Sequence, residues 1–321
     1  MTKHILAEFG GTNARFALVS PESPGCLEKL MWRPCSEFLS AEQAVAWYMK
    51  QVGCTSAAAG CISIAGPTEA ASYRLTNRDW ILSPERMKSL IGAGQVEFLN
   101  DFEALAYALP FLPAKNLTQI REGLAVPGKP MVVLGPGTGL GVAGLIPKGD
   151  STFTVVKSEG GGIGFAPEDS LERDVMLCLN RQIGRVTCED LLCGRGMVRL
   201  YGAVADVLGA VPANLTAAEI SGKALAGDDE LCARTAMAFC HILGHFAGDL
   251  ALMFNAVGGV FLGGGILPQI KGILIESDFC ARFEARGAKS HLVADTPVFL
   301  IEDEVPALIG ASYWLIHQLS A

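Results

Sequence analysis

The residues best placed to do chemistry are Asn100 and Asp101. They close the apolar run Val96-Glu97-Phe98-Leu99 and lead straight into Phe102-Glu103-Ala104-Leu105-Ala106-Tyr107-Ala108-Leu109, which reads as a helix. Open α/β sheets place catalytic groups at such strand-to-helix junctions. Two glycine-rich turns add weight: Phe9-Gly10-Gly11-Thr12-Asn13 and Gly135-Pro136-Gly137-Thr138-Gly139-Leu140-Gly141. Glycine lets backbone N–H groups approach an anion closely and accepts φ > 0, and Thr12 adds a hydroxyl. Two anion-binding turns with one carboxylate base suit phosphoryl transfer to a hydroxyl. Each motif has a plain alternative. Either turn reads equally as an ordinary tight hairpin, and an Asp or Asn before a helix is the preferred N-cap, worth about 1 kcal/mol. The roles are compatible for neighbours, with Asn100 or the backbone capping while Asp101 faces a cleft.

Further candidates lie in the second half. Glu159, in Ser158-Glu159-Gly160-Gly161-Gly162-Ile163-Gly164-Phe165, is an acid in a glycine-rich turn and suits two adjacent sugar hydroxyls, or is a solvated loop acid. Glu189 is expected in the first turn of a helix that Thr187 caps with Asp190 at its third position, where the dipole favours an acid anyway. Gly263-Gly264-Gly265 ends the strand Val260-Phe261-Leu262 and offers flat backbone access to an adenine and ribose, or simply close strand–helix packing.

Several classes are excluded. Neither turn matches G-x-x-x-x-G-K-[ST], and G-x-G-x-x-G fails at Leu140 and Val142, which disfavours a dinucleotide enzyme. The net charge of -8 comes with no Lys/Arg cluster, unlike the basic face of a nucleic-acid binder. The five His lack metal spacing, and the ten Cys include no C-x-x-C pair, so they read as small buried thiols in a reducing compartment. The start, Met1 to Glu8, does not read as a signal peptide. The apolar stretches are interrupted well before the ~18 residues of a membrane helix. The cytoplasm is the expected compartment, with no membrane or nucleic-acid partner.

With half of its 321 residues apolar, the chain can bury a sizeable core but is long for a single one, and two domains are expected. His4–Phe9 and Phe16–Val19 flank the first glycine turn as strands, and 131–134 and 142–146 flank the second, so both motifs are expected as hairpins. That pairing hints at an internally duplicated architecture. Ser40 with Gln43 forms a capping box before Ala44–Met49, and Gly53 ends that helix. Cys61–Ala65 is a fully apolar strand. The stretch 111–130 reads as a crossing between domains. A long buried helix is expected over roughly 230–255, a strand at 298–301 and a terminal helix over 307–319.

Taken together, these segments resemble the bacterial glucokinase family within the actin-like ATPase and hexokinase superfamily. The carrying residues are Phe9 to Arg15, Leu99-Asn100-Asp101-Phe102, Gly135 to Gly141, Glu159-Gly160-Gly161, Glu189 and Val260 to Ile266, with linking text such as Leu75-Thr76-Asn77-Arg78-Asp79-Trp80. The similarity runs in order over nearly the whole chain, and the motifs are specific as a set. The resemblance implies two actin-like (ribonuclease H-like) α/β domains flanking a deep cleft: a small one from 1–110 plus 302–321 and a large one from 111–301. It implies ATP-dependent phosphorylation of a hexose, glucose foremost, at its 6-hydroxyl, with Mg²⁺ and a homodimer. It makes Asp101 the base and puts Asn100, Asp101, Glu159, Glu189 and Gly137 on the sugar. It puts Gly10, Gly11, Thr12, Asn13, Gly137, Thr138, Gly139, Gly263, Gly264 and Gly265 on the nucleotide.

Two positions depart from the family pattern. Glu8 stands where the family has Asp, the acid that acts near Mg²⁺ through water, and Mg²⁺ tolerates poor octahedral geometry badly. Gly162 stands where the family has a sugar-contacting His, which makes room for a substituted hexose. Two competing classes follow. A catalytically weak sugar-binding relative draws on Glu8 and Gly162 alone. A sugar-responsive repressor is disfavoured because this sequence starts directly on the first nucleotide-loop strand and shows no Cys-rich zinc motif.

Overall fold

A computed structural model of the chain describes residues 3–66, 73–74, 80–149 and 152–320. Of the segment 75–80, only Trp80 lies within the described residues. The chain divides into two compact units, 1–113 with 303–321, and 114–302.

The first unit is built on strands β1 (His4–Phe9), β2 (Asn13–Val19), β3 (Glu28–Pro34) and β4 (Ala59–Ile64), a two-residue ribbon of β5 (Tyr73–Arg74) and β6 (Ile81–Leu82), and β7 (Gln95–Asn100). Its sheet runs β3-β2-β1-β4-β7. Strands β1, β4 and β7 are parallel, and β2 and β3 turn back antiparallel. Central β4 is buried along its whole length, as a parallel strand covered on both faces must be. Alternate residues of β1 feed two cores. Ile5, Ala7 and Phe9 face α1 (Ala41–Val52) and α2 (Pro84–Ile91), whereas Leu6 joins Leu99, Ala104, Leu308 and Leu315. That second face is covered by α3 (Asp101–Ala108) and the terminal helix Pro306–Ser320. The two helices cross closely at Gly310, where any Cβ would lie 1.8 Å from the Ala104 carbonyl oxygen.

The second unit contains β8 (Leu117–Arg121), β9 (Met131–Pro136), β10 (Leu140–Gly149), β11 (Thr152–Ser158), β12 (Val260–Leu262) and β13 (Val298–Ile301). Its sheet runs β11-β10-β9-β12-β13-β8. Once β8 is set aside, strand order and direction repeat those of the first unit: a three-strand meander followed by two parallel additions. The expected duplication is therefore one of topology. Helices α4 (Ser170–Ile183), α5 (Gly194–Leu208), α6 (Ala217–Ala226), α7 (Glu230–Phe254), α8 (Lys271–Glu276) and α9 (Phe279–Glu284) complete the unit. By length and composition α7 could cross a membrane, yet 67% of its apolar window is buried. It is the core helix of this unit, contributing Phe239, Leu243, Phe246 and Leu250.

Three expectations change. The stretch 111–130 is more than a crossing, because β8 pairs antiparallel with β13 at the sheet edge. The inward position of β8 is filled by Arg121, whose guanidinium donates to the Thr296 and Ala294 carbonyl oxygens, both at 2.7 Å. Thr187 and Asp190 do form reciprocal capping contacts, but they close a turn, and the helix begins only at Gly194. The Cys188 and Glu189 N–H groups, first-turn donors with no intrahelical acceptor, are taken by the Ile163 and Gly161 carbonyls, and the ladder runs for a single turn, Leu192 N–H to the Cys188 carbonyl at 2.8 Å, before Cys193 caps a new helix. Ser40 caps α1 by accepting from the Gln43 N–H, whereas the Gln43 amide oxygen accepts from the Leu39 N–H instead of Ser40's, giving half of the expected box. All ten cysteines are free thiols, and Cys26 alone among them is exposed.

Candidate active site

In the first unit, the turn after β1 is braced at its base. The Gly10 N–H donates to the Asn13 carbonyl at 3.1 Å and the Cys35 N–H to the Thr12 carbonyl at 2.8 Å. Gly10 and Gly11 are half-buried and Thr12 is exposed at the tip. Two residues before the glycines, Glu8 lies directly opposite Arg15 in the β1–β2 register. The Arg15 guanidinium donates to Glu8 Oε1 at 2.9 Å. Glu8 Oε2 is buried and has no hydrogen-bond partner among the described residues. Burial pushes the Glu8 carboxyl above its ordinary value, and Arg15 pulls against that.

At the other strand end, the competition between capping and chemistry resolves by position. Asn100 is the N-cap: its Oδ1 accepts from the Phe102 N–H at 2.9 Å and the Glu103 N–H at 3.2 Å. Glu103 returns the bond to the Asn100 N–H, completing a capping box. The Asn100 amide nitrogen donates to the Gly66 carbonyl at 3.1 Å, which fixes the side-chain plane. Asp101 is thereby the first helical residue, half-buried, with Oδ1 accepting from the Phe102 N–H at 3.0 Å. An acid there complements the helix dipole.

In the second unit, four motifs distant in sequence lock together. The Gly137 N–H donates to the Gly139 carbonyl at 2.8 Å, closing the hairpin turn, and the Gly194 N–H donates to the Gly137 carbonyl at 2.8 Å. Glu189 Oε2 accepts from the Leu140 N–H at 3.0 Å, and the Glu189 N–H donates to the Gly161 carbonyl at 2.8 Å. At Gly161 a Cβ would run into backbone, and at Gly139 it would displace the end of the Glu189 side chain. A Cβ on Gly139 would sit 2.8 Å from Glu189 Oε2, and one on Gly161 would sit 2.4 Å from the Leu140 carbonyl oxygen. Gly263 and Gly264 belong to the same assembly. The Gly263 N–H donates to the Leu134 carbonyl, and a Cβ on Gly264 (φ +83°) would lie 2.4 Å from the Pro136 carbonyl oxygen. Their closeness is strand-to-loop packing, where strand-to-helix packing was the alternative expected. Gly265, in contrast, faces open space.

Glu159 is exposed on the lip of this assembly, its carbonyl accepting from the Gly162 N–H at 2.9 Å. Gly162 is exposed too, and a Cβ built there meets nothing within 4 Å. The structure thus joins Gly137, Thr138, Gly139, Glu159, Glu189 and Gly263–Gly265 within one unit, and Glu8, Gly10–Asn13, Asn100 and Asp101 at the strand ends of the other. Among the described residues no group of three His, Cys, Asp or Glu could hold a metal on its own.

Sequence reasoning passed over three residues of this region. Cys193 is the N-cap of α5, its Sγ accepting from the Gly196 N–H at 3.3 Å, a thiol in a place usually held by Ser, Thr, Asp or Asn. Arg195 is ion-paired with Glu189. Cys35 closes the first turn from below. The one available signal was Gly194-Arg195-Gly196, two glycines bracketing a cation.

Comparison with known proteins gives a consistent answer. The family model described as Glucokinase matches residues 5–318. A Glucokinase of Saccharophagus degradans is 41% identical over 317 residues, covering 98% of each chain. One of Chromobacterium violaceum is 39% identical, covering 98% of this chain and 90% of the relative. The crystal structure of a glucokinase from an Antarctic psychrotroph superposes with a TM-score of 0.88 at 36% identity, covering 99% of both chains. The fold extends to a ROK family glucokinase from Streptomyces griseus solved in complex with glucose and AMPPNP, with a TM-score of 0.64 at 19% identity, covering 97% of this chain and 98% of that one. With a family match across almost the whole chain and relatives this similar end to end, the protein belongs to the glucokinase family and is a sugar kinase.

Proposed function

We propose that this chain transfers the γ-phosphoryl group of ATP to the 6-hydroxyl of D-glucose. Asp101 takes the hydroxyl proton, Asn100, Glu159 and Glu189 orient the ring hydroxyls with Gly137, and the turns Gly10–Asn13 and Gly137–Gly139, closed by their own Gly10 and Gly137 N–H groups, hold the phosphates through their other backbone N–H groups. Gly263–Gly265 lines the nucleoside side. The observation that carries this is the Glu189 joint. One carboxylate accepts from the Leu140 N–H that follows the second glycine turn, so a residue assigned to the acceptor is tied to a loop assigned to the donor. Phosphoryl transfer depends mainly on such positioning and on electrostatic stabilisation, and a base adds roughly 10²–10⁴-fold.

Mg²⁺ fits Glu8. Its Oε2 is a buried oxygen without a partner among the described residues, and Mg²⁺ needs only one or two carboxylates because it keeps waters and substrate phosphates as its other ligands. When bound, the ion neutralises charge on the transferring phosphates. Arg15 holds Glu8 Oε1, fixing the carboxylate so that Oε2 is the oxygen offered. The longer side chain at this position is anchored, and its extra methylene does not leave it loose. A homodimer in the cytoplasm completes the proposal, and sedimentation of the purified chain tests the first half of that.

A second reading, a substituted hexose as the preferred acceptor, is favoured by Gly162. The space beyond its α-carbon is open, so nothing in the fold excludes a side chain there, and its lack leaves volume beside Glu159. A panel of hexoses and amino sugars with ATP and Mg²⁺, assayed for ADP release, decides. Glucose with the highest kcat/KM supports the first reading, and a 2-substituted hexose ahead of it supports the second.

A further inference from the structure

Arg195 is the one side chain of its turn that packing does not consume. Cys193 caps α5 through Sγ. Gly194 spends its N–H on the Gly137 carbonyl. Gly196 is held to hydrogen, because a Cβ there would lie 2.6 Å from the Leu191 carbonyl carbon and oxygen. Between them Arg195 reaches Glu189, its Nη2 donating to Oε1. The other oxygen of that carboxylate accepts from the Leu140 N–H at 3.0 Å. Glu189 is thus held at both ends.

A carboxylate tied at one oxygen turns about its last side-chain bond, and one tied at both cannot. Each carboxylate oxygen has two acceptor directions, so a doubly held Glu189 keeps one per oxygen, aimed in a fixed direction. The ion pair adds little to folding. The Arg195 side chain is 63% exposed and that of Glu189 33%, and exposed pairs contribute little net stability. What the contact can supply is orientation.

We infer that Arg195 is a positioning residue for the acceptor: it fixes the Glu189 carboxylate so that the sugar's ring hydroxyls meet two correctly aimed oxygens, and it sets affinity for sugar and not for nucleotide. The inference rests on the glucose-phosphorylating function proposed above and deepens it. Arg195 touches neither reacting group, and its influence passes through Glu189.

The test is a set of steady-state and binding measurements on the full chain with glucose and MgATP, for wild type, Arg195→Ala, Arg195→Lys, Glu189→Gln and the double variant Arg195→Ala/Glu189→Gln. Arg195→Ala is expected to raise the glucose KM and the calorimetric glucose Kd about tenfold, as misaiming one of the charge-assisted hydrogen bonds that Glu189 makes to the sugar implies. The ATP KM and kcat are expected to stay within about threefold, and the melting temperature to be nearly unchanged. Arg195→Lys recovers much of the loss, since an ammonium restores the charge but not the planar fork. In the Glu189→Gln background the Arg195 substitution adds less than about twofold, because coupled residues are not additive. An unmoved glucose KM in Arg195→Ala, a rise in ATP KM in its place, or a full effect in the Glu189→Gln background overturns the inference while glucose phosphorylation stands. A wild-type chain that neither binds nor phosphorylates glucose overturns both.

Discussion

Asn100 caps the helix that Asp101 begins. Two neighbours that compete for one role in the sequence divide it in the structure: the Asn100 Oδ1 holds the N–H groups of Phe102 and Glu103, and Asp101 occupies the first helical position. The strand end, the cap and the carboxylate are set by two consecutive residues, Asn100 and Asp101, so an error at either reaches the other. Asn100→Ala removes a cap whose loss costs about 1 kcal/mol. We expect a lower melting temperature together with a fall in kcat, because the Asp101 backbone loses its anchor. Asn100→Asp, which keeps an N–H acceptor, is expected to recover stability. Thermal melts alongside initial rates check both, and an unchanged melt for the alanine variant would contradict the cap.

The third glycine cluster separates packing from openness residue by residue. Gly264 has φ of +83° and its Cβ would lie 2.4 Å from a backbone oxygen, whereas Gly265 faces open space. Gly264→Ala is expected to cost ~1–3 kcal/mol from overpacking, with a further ~1–2 kcal/mol from the left-handed backbone. Gly265→Ala is expected to stay within ~0.5 kcal/mol of wild type. Urea midpoints of the two variants check the contrast, and equal midpoints would contradict it.

Charges packed together around α4, α7 and α9 shape the pH dependence of the second unit. Burial pushes the Glu172 carboxyl up, but His245 beside it and the Glu168 N–H outweigh this and hold it below its ordinary 4.5. Asp169 is likewise penalised by burial, yet the Glu172 N–H and Arg282 hold it below 3.8. Burial and Arg282 lower His241 from 6.5. In all three the unfolded chain binds protons more readily, so stability is lost as pH falls. The loss comes first below 6.5, through the His241 window, and again below 4.5 through the two acids. Urea midpoints for the α4, α7 and α9 region, followed by hydrogen exchange from pH 8 to pH 3, should fall in those two stages. A midpoint that rises as pH drops from 7 to 4 would contradict the assignment.

Much of the fold is legible in the sequence where local rules and tertiary structure agree. Both glycine turns are hairpins, Gly53 ends α1 in the left-handed region with φ of 68°, and α7 spans almost the range its apolar text suggests. Rules fail where a side chain does an unusual job. The β8 strand hides because its inward residue is Arg121, satisfied by carbonyls from residues 294 and 296 that no local window contains. The α5 start hides because its cap is a thiol and its first turn holds two glycines. Edge strand β3, largely exposed, has no apolar alternation to show. In the site, residue identities are legible and their connections are not. Glu189 reads as a dipole-favoured acid at a helix start, and its bonds to Leu140 and Arg195 come from turns 49 and 6 residues away.

The central claim is that Asp101 deprotonates the 6-hydroxyl of glucose for attack on ATP, and phosphorus NMR of the reaction with purified wild-type and Asp101→Asn chains tests it most directly. Asparagine keeps the shape and an oxygen for the Phe102 N–H, and Asn100 still caps the helix, so fold and nucleotide binding should survive. The account predicts glucose 6-phosphate from wild type and a rate at least ~10²-fold lower from the variant, with ATP affinity retained. Wild type giving no sugar phosphate, or the variant turning over at the wild-type rate, would contradict it.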